Sequence, residues 1–231
     1  MKTSVWKFLG SVLFIILLVS CDKDDNDDNM AQARIMVVHA SPNAPAVDVR
    51  VNNQVALTNV AYPSNSAYTA VNAGSTNVKV SPTGTMTYVI DANVTVDRNS
   101  SYSIFAVDSV ARIKAAVVTD NLSAPAAGKA HVRFFHFSPN APAVDIAVAG
   151  GAVLFPNRNF NDQSTNANVA NFTPVDAGTY TLEVRAAGTT TSVLSIPNVT
   201  LQAGKIYTVF AKGLLGGSGT QALGAQIIAN N

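Results

Sequence analysis

Two histidines, two serines and two aspartates recur at nearly matched spacing in this chain. His39, Ser41 and Asp48 return 97 residues later as His136, Ser138 and Asp145, each set inside one ten-residue phrase, HASPNAPAVD and then HFSPNAPAVD. Imidazole, hydroxyl and carboxylate are the parts of a hydrolytic relay, and imidazole with carboxylate is also part of many metal sites. Three features weigh against both uses. Alternation along the flanking strands puts His39 and Asp48 on opposite faces, and likewise His136 and Asp145. Ser41 and Ser138 stand directly before Pro42 and Pro139, without the Gly-x-Ser-x-Gly elbow that exposes a nucleophile. One active site also has no need of a second copy. The reading preferred here is structural. The histidines are buried imidazoles bonded to the turn through Ser41 and Ser138, and the aspartates hold loop N–H donors. No catalytic residue, metal ligand or cofactor is assigned.

The elements that would hold these residues are strands. Val37-Val38, Val47 to Val51, Val78 to Val80, Tyr88 to Ile90, Ser103 to Val107 and Ala115 to Val118 are short, β-branched and often alternating. Pro, Gly, Asn and Ser punctuate them. Prolines fix φ within S-P-N-A-P and Asn tolerates left-handed backbone, so the phrase reads as a rigid turn between strands. If those strands pair across Ser41 to Pro45, His39 faces Val47 and Val37 faces Val49. The repeat continues beyond the phrase. Val71 to Val80 answers Val175 to Val184 at an offset of 104, so copy two carries about seven extra residues between 150 and 171. Tyr102-Ser103-Ile104-Phe105-Ala106 answers Tyr207-Thr208-Val209-Phe210-Ala211. The expected fold is all-β, with two tandem immunoglobulin-like antiparallel β-sandwiches. They occupy residues 33–122 and 130–231, joined by a linker at 123–129.

The N-terminus reads as an export signal. Lys2 and Lys7 precede an apolar run, Val12 to Val19, that is too short to span a bilayer. Leu18-Val19-Ser20-Cys21 resembles a bacterial lipobox, in which the thiol is acylated and becomes the mature N-terminus. Residues 1–20 are then the signal peptide, and 21–32 the lipidated Cys21 with an acidic tether. Cys21 is the only cysteine, so no disulfide can form within the chain. Five Asp and one Lys between Asp22 and Asn29, with no apolar residue, cannot be buried. Lys-Asp-Asp after such a cysteine resembles the surface-export signal of Bacteroidetes lipoproteins, which implies an outer-membrane protein facing the cell exterior. Beyond the signal peptide lie 13 basic and 14 acidic side chains, with no basic stripe to suit nucleic acid.

The H-x-S-P-x-A-P-x-V-D phrase with the later A-G turn resembles the bacterial family called domain of unknown function 4397. Its members are exported, β-rich and often tandem; the resemblance implies location and architecture but no reaction. The Phe155 to Gln163 stretch, with Arg158 between Phe155 and Phe160 and no counterpart in copy one, is a candidate binding loop. Gly213 to Gly219 reads as a flexible hairpin without the Lys-Ser/Thr of a phosphate loop. The expectation is a non-enzymatic, lipid-anchored envelope protein. It is held to the membrane through Cys21 and presents two modules to an unknown protein or polysaccharide partner. Alternatives are a polysaccharide-binding accessory of nutrient uptake, and a hydrolase using the duplicated His/Ser/Asp set.

Overall fold

A computed structural model describes residues 31–231; the signal peptide, Cys21 and the acidic run lie outside the described residues. The first copy contains β1 (Gln32–His39), β2 (Val47–Val51), β3 (Gln54–Val60), β4 (Ser64–Asn65), β5 (Thr69–Asn72), β6 (Gly74–Pro82), β7 (Ile90–Val96), β8 (Ser101–Val107) and β9 (Lys114–Asp120). The second contains β10 (Lys129–His136), β11 (Val144–Val148), β12 (Val153–Arg158), β13 (Thr173–Asp176), β14 (Gly178–Ala186), β15 (Ser192–Leu201), β16 (Ile206–Lys212) and β17 (Gly224–Ala229). The only helices among the described residues are short 3-10 turns. The tether is thus shorter at its C-terminal end than expected, because β1 begins at Gln32, and β10 takes up Lys129 of the linker.

Each copy is a sandwich. Its outer sheet is β3-β2-β6-β7 in the first copy and β12-β11-β14-β15 in the second. Its inner sheet is built on β1-β8-β9, with β4 and β5 against β1, and in the second copy is β13-β10-β16-β17. The pairing is antiparallel except between β1 and β8 and between β10 and β16, which run parallel. β1 and β2 belong to different sheets, so the hairpin pairing of His39 with Val47 does not form. β2 instead pairs with β3 and β6. Alternation within β1 survives. Ala33, Ile35 and Val37 face the interior of their own sandwich, while Met36 and Val38 face the other way.

That other way is the second copy. Met36, Val38, Phe105 and Val118 of the first inner sheet form one buried cluster with Phe135, Phe137, Phe210 and Ile228 of the second. The two inner sheets therefore pack face to face, and their central strands are buried on both sides, β8 at every residue. Such strands read as unbroken apolar runs, as in Ser103-Ile104-Phe105-Ala106-Val107. The rings of Phe105, Phe135, Phe137 and Phe210 lie 5.0–6.4 Å apart, tilted or edge-on for most pairs.

A charged pair sits inside this apolar layer. Arg133, with no exposed surface, donates from Nη2 to Asp120 Oδ1 at 2.6 Å and from Nε to Thr208 Oγ1 at 2.8 Å. Ser103 and Tyr68 donate to Asp120 Oδ2, Thr208 donates to Asn230 Oδ1, and Asn230 donates to the Tyr68 hydroxyl at 3.0 Å. Phe172 lies 4.4 Å from the guanidinium carbon. Strand registers make Met36 the counterpart of Arg133, Asn230 that of Asp120, and Phe172 that of Tyr68. The two copies thus meet through the same face, with the charges placed one on each side.

Removing one partner of a buried pair leaves the other uncompensated, whereas removing both can be close to neutral. Arg133→Met should lower the unfolding free energy by about 3–5 kcal/mol in urea titration. Adding Asp120→Asn, so that both positions carry the residues of their counterparts, should recover most of that loss. Burial, then the Asp120 charge, pushes the Tyr68 hydroxyl up to about 12. A raised folded value means stability present below the ordinary tyrosine range and lost as pH climbs through the folded one. The stability difference between wild type and Tyr68→Phe should therefore fall between about pH 10 and 12.

Candidate functional site

The duplicated phrase is the corner at which the chain leaves one sheet for the other. His39 closes β1 in the inner sheet, and Val47 opens β2 in the outer. Between them Ser41-Pro42-Asn43-Ala44 makes a β-turn, with the Ala44 N–H 3.4 Å from the Ser41 carbonyl; Ala141 and Ser138 repeat this at 3.4 Å. Pro42 is buried and Pro139 half-buried. His39 is wholly buried with Nε2 2.9 Å from the Pro45 carbonyl, and His136 sits 3.1 Å from the Pro142 carbonyl. A carbonyl can only accept, so Nε2 carries the proton and a neutral ring leaves Nδ1 as an acceptor. The bond from imidazole to turn is present, but it does not run through the serine hydroxyls. Ser41 Oγ and Ser138 Oγ are buried without a partner.

The turn asparagines do something composition did not suggest. Neither Asn43 nor Asn140 has positive φ. Asn43 Oδ1 accepts from Val110 N–H at 2.9 Å, and Asn140 both accepts from Leu215 N–H at 2.8 Å and donates to its carbonyl at 3.1 Å. They tie the corner to the loop between the last two inner-sheet strands. The stretch read as a flexible hairpin is thereby clamped. It is also closed on itself, because a side chain at Gly213 would meet the Ala222 carbonyl at 2.2 Å.

The aspartates bind loop backbone as expected. Asp48 accepts from Asn59 N–H at 2.9 Å and Gly84 N–H at 3.0 Å; Asp145 accepts from Asn157 N–H at 2.6 Å and Gly188 N–H at 2.9 Å. All four donors sit at positive φ, between 48° and 77°. Each carboxylate therefore straps both neighbours of its strand, the bulged one on one side and a tight turn on the other. The Gly84 and then the Asn59 N–H hold the Asp48 carboxyl below its ordinary value. Neither aspartate bonds the imidazole of its copy, and neither imidazole bonds the hydroxyl, so His, Ser and Asp are not joined in a relay. Among the described residues no three His, Cys, Asp or Glu gather as a metal set.

The candidate binding loop is turned inward for the most part. Phe155 is buried and stacks on Phe134 at 6.1 Å. Arg158 is buried too, held by Asp162 through Nε at 2.7 Å and Nη2 at 2.9 Å. Phe160 is half-buried with Lys114 of the first copy 5.6 Å from its centroid. Of the three residues singled out in this loop, Phe155 and Arg158 are thus buried and Phe160 is partly open. A ring at the Leu57 position has to enter the opening between the two sheets, because β11 pairs Phe155 with Ile146 as β2 pairs Leu57 with Val49. The first copy leaves a groove of about 350 Å³ there, lined by Ile35, Val37, Leu57 and Val71; in the second, Phe155 and Tyr180 reduce it to about 10 Å³.

The corner, its histidine and its strap thus form one repeated unit. Residues 33–147 match the family model described as Domain of unknown function (DUF4397). The match covers 115 of the 231 residues, just under half of the chain. The DUF4397 match takes in nearly all of the first sandwich and runs through the second corner into β11, so it includes both copies of the phrase but not Asn157 and Gly188, the partners of the second strap. No curated protein matches the chain.

Burial pushes both imidazoles below the ordinary histidine value of 6.5, against the smaller raising effect of the proline carbonyls. The unfolded chain then takes up protons that the folded chain refuses. Stability is full above pH 6.5 and is lost as pH falls through the lowered folded values. Imidazole resonances of His39 and His136 should stay at the neutral position at pH 6.5, where an ordinary titration would be half complete. Asp145→Ala frees two N–H groups from a charged acceptor and should cost about 2–3 kcal/mol by urea unfolding.

Proposed function

We propose that the chain is a lipid-anchored, non-catalytic protein of the cell envelope. Cys21 bears the acyl chains, the acidic run gives reach, and the two sandwiches are presented as one rigid body facing outward from the outer membrane. The observation that carries this reading is the shared core. Both inner sheets are buried against each other, so what the protein offers to a partner is its outer sheets, edges and loops in a fixed arrangement. Display at a fixed angle needs such stiffness, and loops on rigid scaffolds are where binding concentrates. The first strand begins only a few residues after the acidic run, which leaves the run itself as the spacer between membrane and body.

The partner class proposed is a protein or an envelope polysaccharide. Nucleic acid does not suit a body without a basic stripe. Cells expressing the chain should incorporate a clickable palmitate analogue into it, and Cys21→Ser should abolish the label. Proteinase added to intact cells should remove the wild-type chain. Label surviving in the Ser variant, or digestion only after lysis, would overturn the anchored, outward-facing reading.

A further inference from the structure

We infer that the second sandwich holds a binding site for a small apolar molecule bearing one neutral hydroxyl, an alcohol or a phenol. The site is a cavity of about 260 Å³ at the mouth between its two sheets, with His136 and Ser138 in its wall. The remaining wall is apolar for the most part, from Val184 on β14, Leu194 on β15 and Leu215 and Leu223 beside β17.

Two observations point to a ligand. The first is that His136 Nδ1 and Ser138 Oγ are buried and have no hydrogen-bond partner; Ser41 Oγ is orphaned too, so what sets the second copy apart is Nδ1. Buried polar atoms are seldom left so, and here both belong to one pocket. The second is the comparison with the first sandwich. There the Ser41 N–H approaches His39 Nδ1 at 3.4 Å, and Val89 and Ile113 pack onto the core. Register makes Val193 the counterpart of Val89, and Leu223 that of Ile113. Both lie open in the second sandwich, at 61% and 38% exposure, with Leu215 beside them at 56%. The same fold is capped in one copy and left open in the other, where apolar side chains surround the entrance.

The chemistry of the head group follows from the protonation of the ring. His136 Nε2 is committed to the Pro142 carbonyl, so Nδ1 of the neutral ring accepts. Both atoms are buried, so a ligand hydroxyl has to displace the wall slightly to donate to Nδ1 and accept from Ser138 O–H. A carboxylate cannot donate, so even with Lys212 in the wall it would leave Nδ1 without a partner. As to size, a dry apolar cavity of about 150 Å³ takes a benzene ring. A volume of about 260 Å³ has room for a ring with a short chain, or an alkyl chain of similar bulk.

The probes are 4-ethylphenol and 1-heptanol, with ethylbenzene and 4-ethylbenzoate as controls lacking the neutral hydroxyl. Titration of the full chain in detergent, followed by calorimetry and by backbone amide shifts, should show saturable one-to-one binding of at least one hydroxyl probe. It should be about tenfold tighter than either control, with shifts confined to the second sandwich. Ser138→Ala removes a hydroxyl that bonds nothing in the protein. It should leave the unfolding midpoint undiminished while weakening the probe about tenfold, and Ala186→Phe should fill the cavity and abolish binding. Should Ala186→Phe fail to fold, the Ser138→Ala comparison decides. No saturable binding of either hydroxyl probe, equal or tighter binding of a control, or an unchanged affinity in Ser138→Ala would overturn the assignment. The site does not depend on the anchor, so its failure would leave the palmitate and proteinase results standing.

Discussion

The structure depends on one layer, the apolar contact between the two inner sheets with an Arg133–Asp120 pair inside it. Burying an aromatic cluster from both copies removes from water the faces that each sandwich alone would expose. The charged pair contributes something different. Taking two charges out of water costs nearly what their attraction returns, so the net stabilisation is small. Its geometry is demanding, however. The guanidinium must meet one carboxylate oxygen, a threonine hydroxyl and the face of Phe172 together. Sliding or rotating one sheet over the other would leave a buried charge unpaired. The apolar layer holds the copies together, and the ion pair sets their register.

Duplication makes the divergence between copies readable. At the shared face, equivalent positions carry Met36 and Arg133, Asp120 and Asn230, and Tyr68 and Phe172, so a contact that could have been symmetric has a direction. At one side of the sandwich the first copy keeps an open groove where the second inserts Phe155. At the mouth near the corner the difference runs the other way. Val89 and Ile113 pack inward in the first copy, while Val193 and Leu223 stand exposed in the second. The corner itself diverges only at Nδ1, which accepts from the Ser41 N–H in the first copy and has no partner in the second. In both, Nε2 bonds the Pro45 or Pro142 carbonyl and the Asp carboxylate bonds two loop N–H groups, tying the backbone where the chain changes sheets.

Strands buried on at least one face were legible from period and composition. β1, β2, β6, β8 and β9 each contain a run that the pattern singled out. β3 was not, because Gln54–Val60 is mostly exposed and alternates weakly. The strap made by Asp48 and Asp145 was legible as a role, since a carboxylate beside Gly- and Asn-rich loops finds N–H donors. Its partners, eleven or more residues away, were not. Whether β1 pairs with β2 or the two go to different sheets was left open for a physical reason. A five-residue turn serves a hairpin and a sheet-changing corner equally well, and alternation within a strand does not say which neighbour it takes. Phe155 and Phe160 likewise looked alike in sequence, yet one fills the opening between sheets and the other lies beside Lys114.

Local chemistry and repetition determined the all-β class, the duplicated phrase, and a structural preference for the histidines and aspartates. These depend on side-chain period, on the φ restriction of proline and on identity between copies, all of which are properties of short stretches. Only the tertiary structure decided that the copies share a core, that Arg133 is buried against Asp120, and that two polar atoms at the second corner lack partners. Those depend on which surfaces meet between separate stretches of chain, from 13 residues apart for Arg133 and Asp120 to 162 for Tyr68 and Asn230. An apolar residue reads the same in sequence whether it faces its own sandwich, the neighbouring one, or an open cavity.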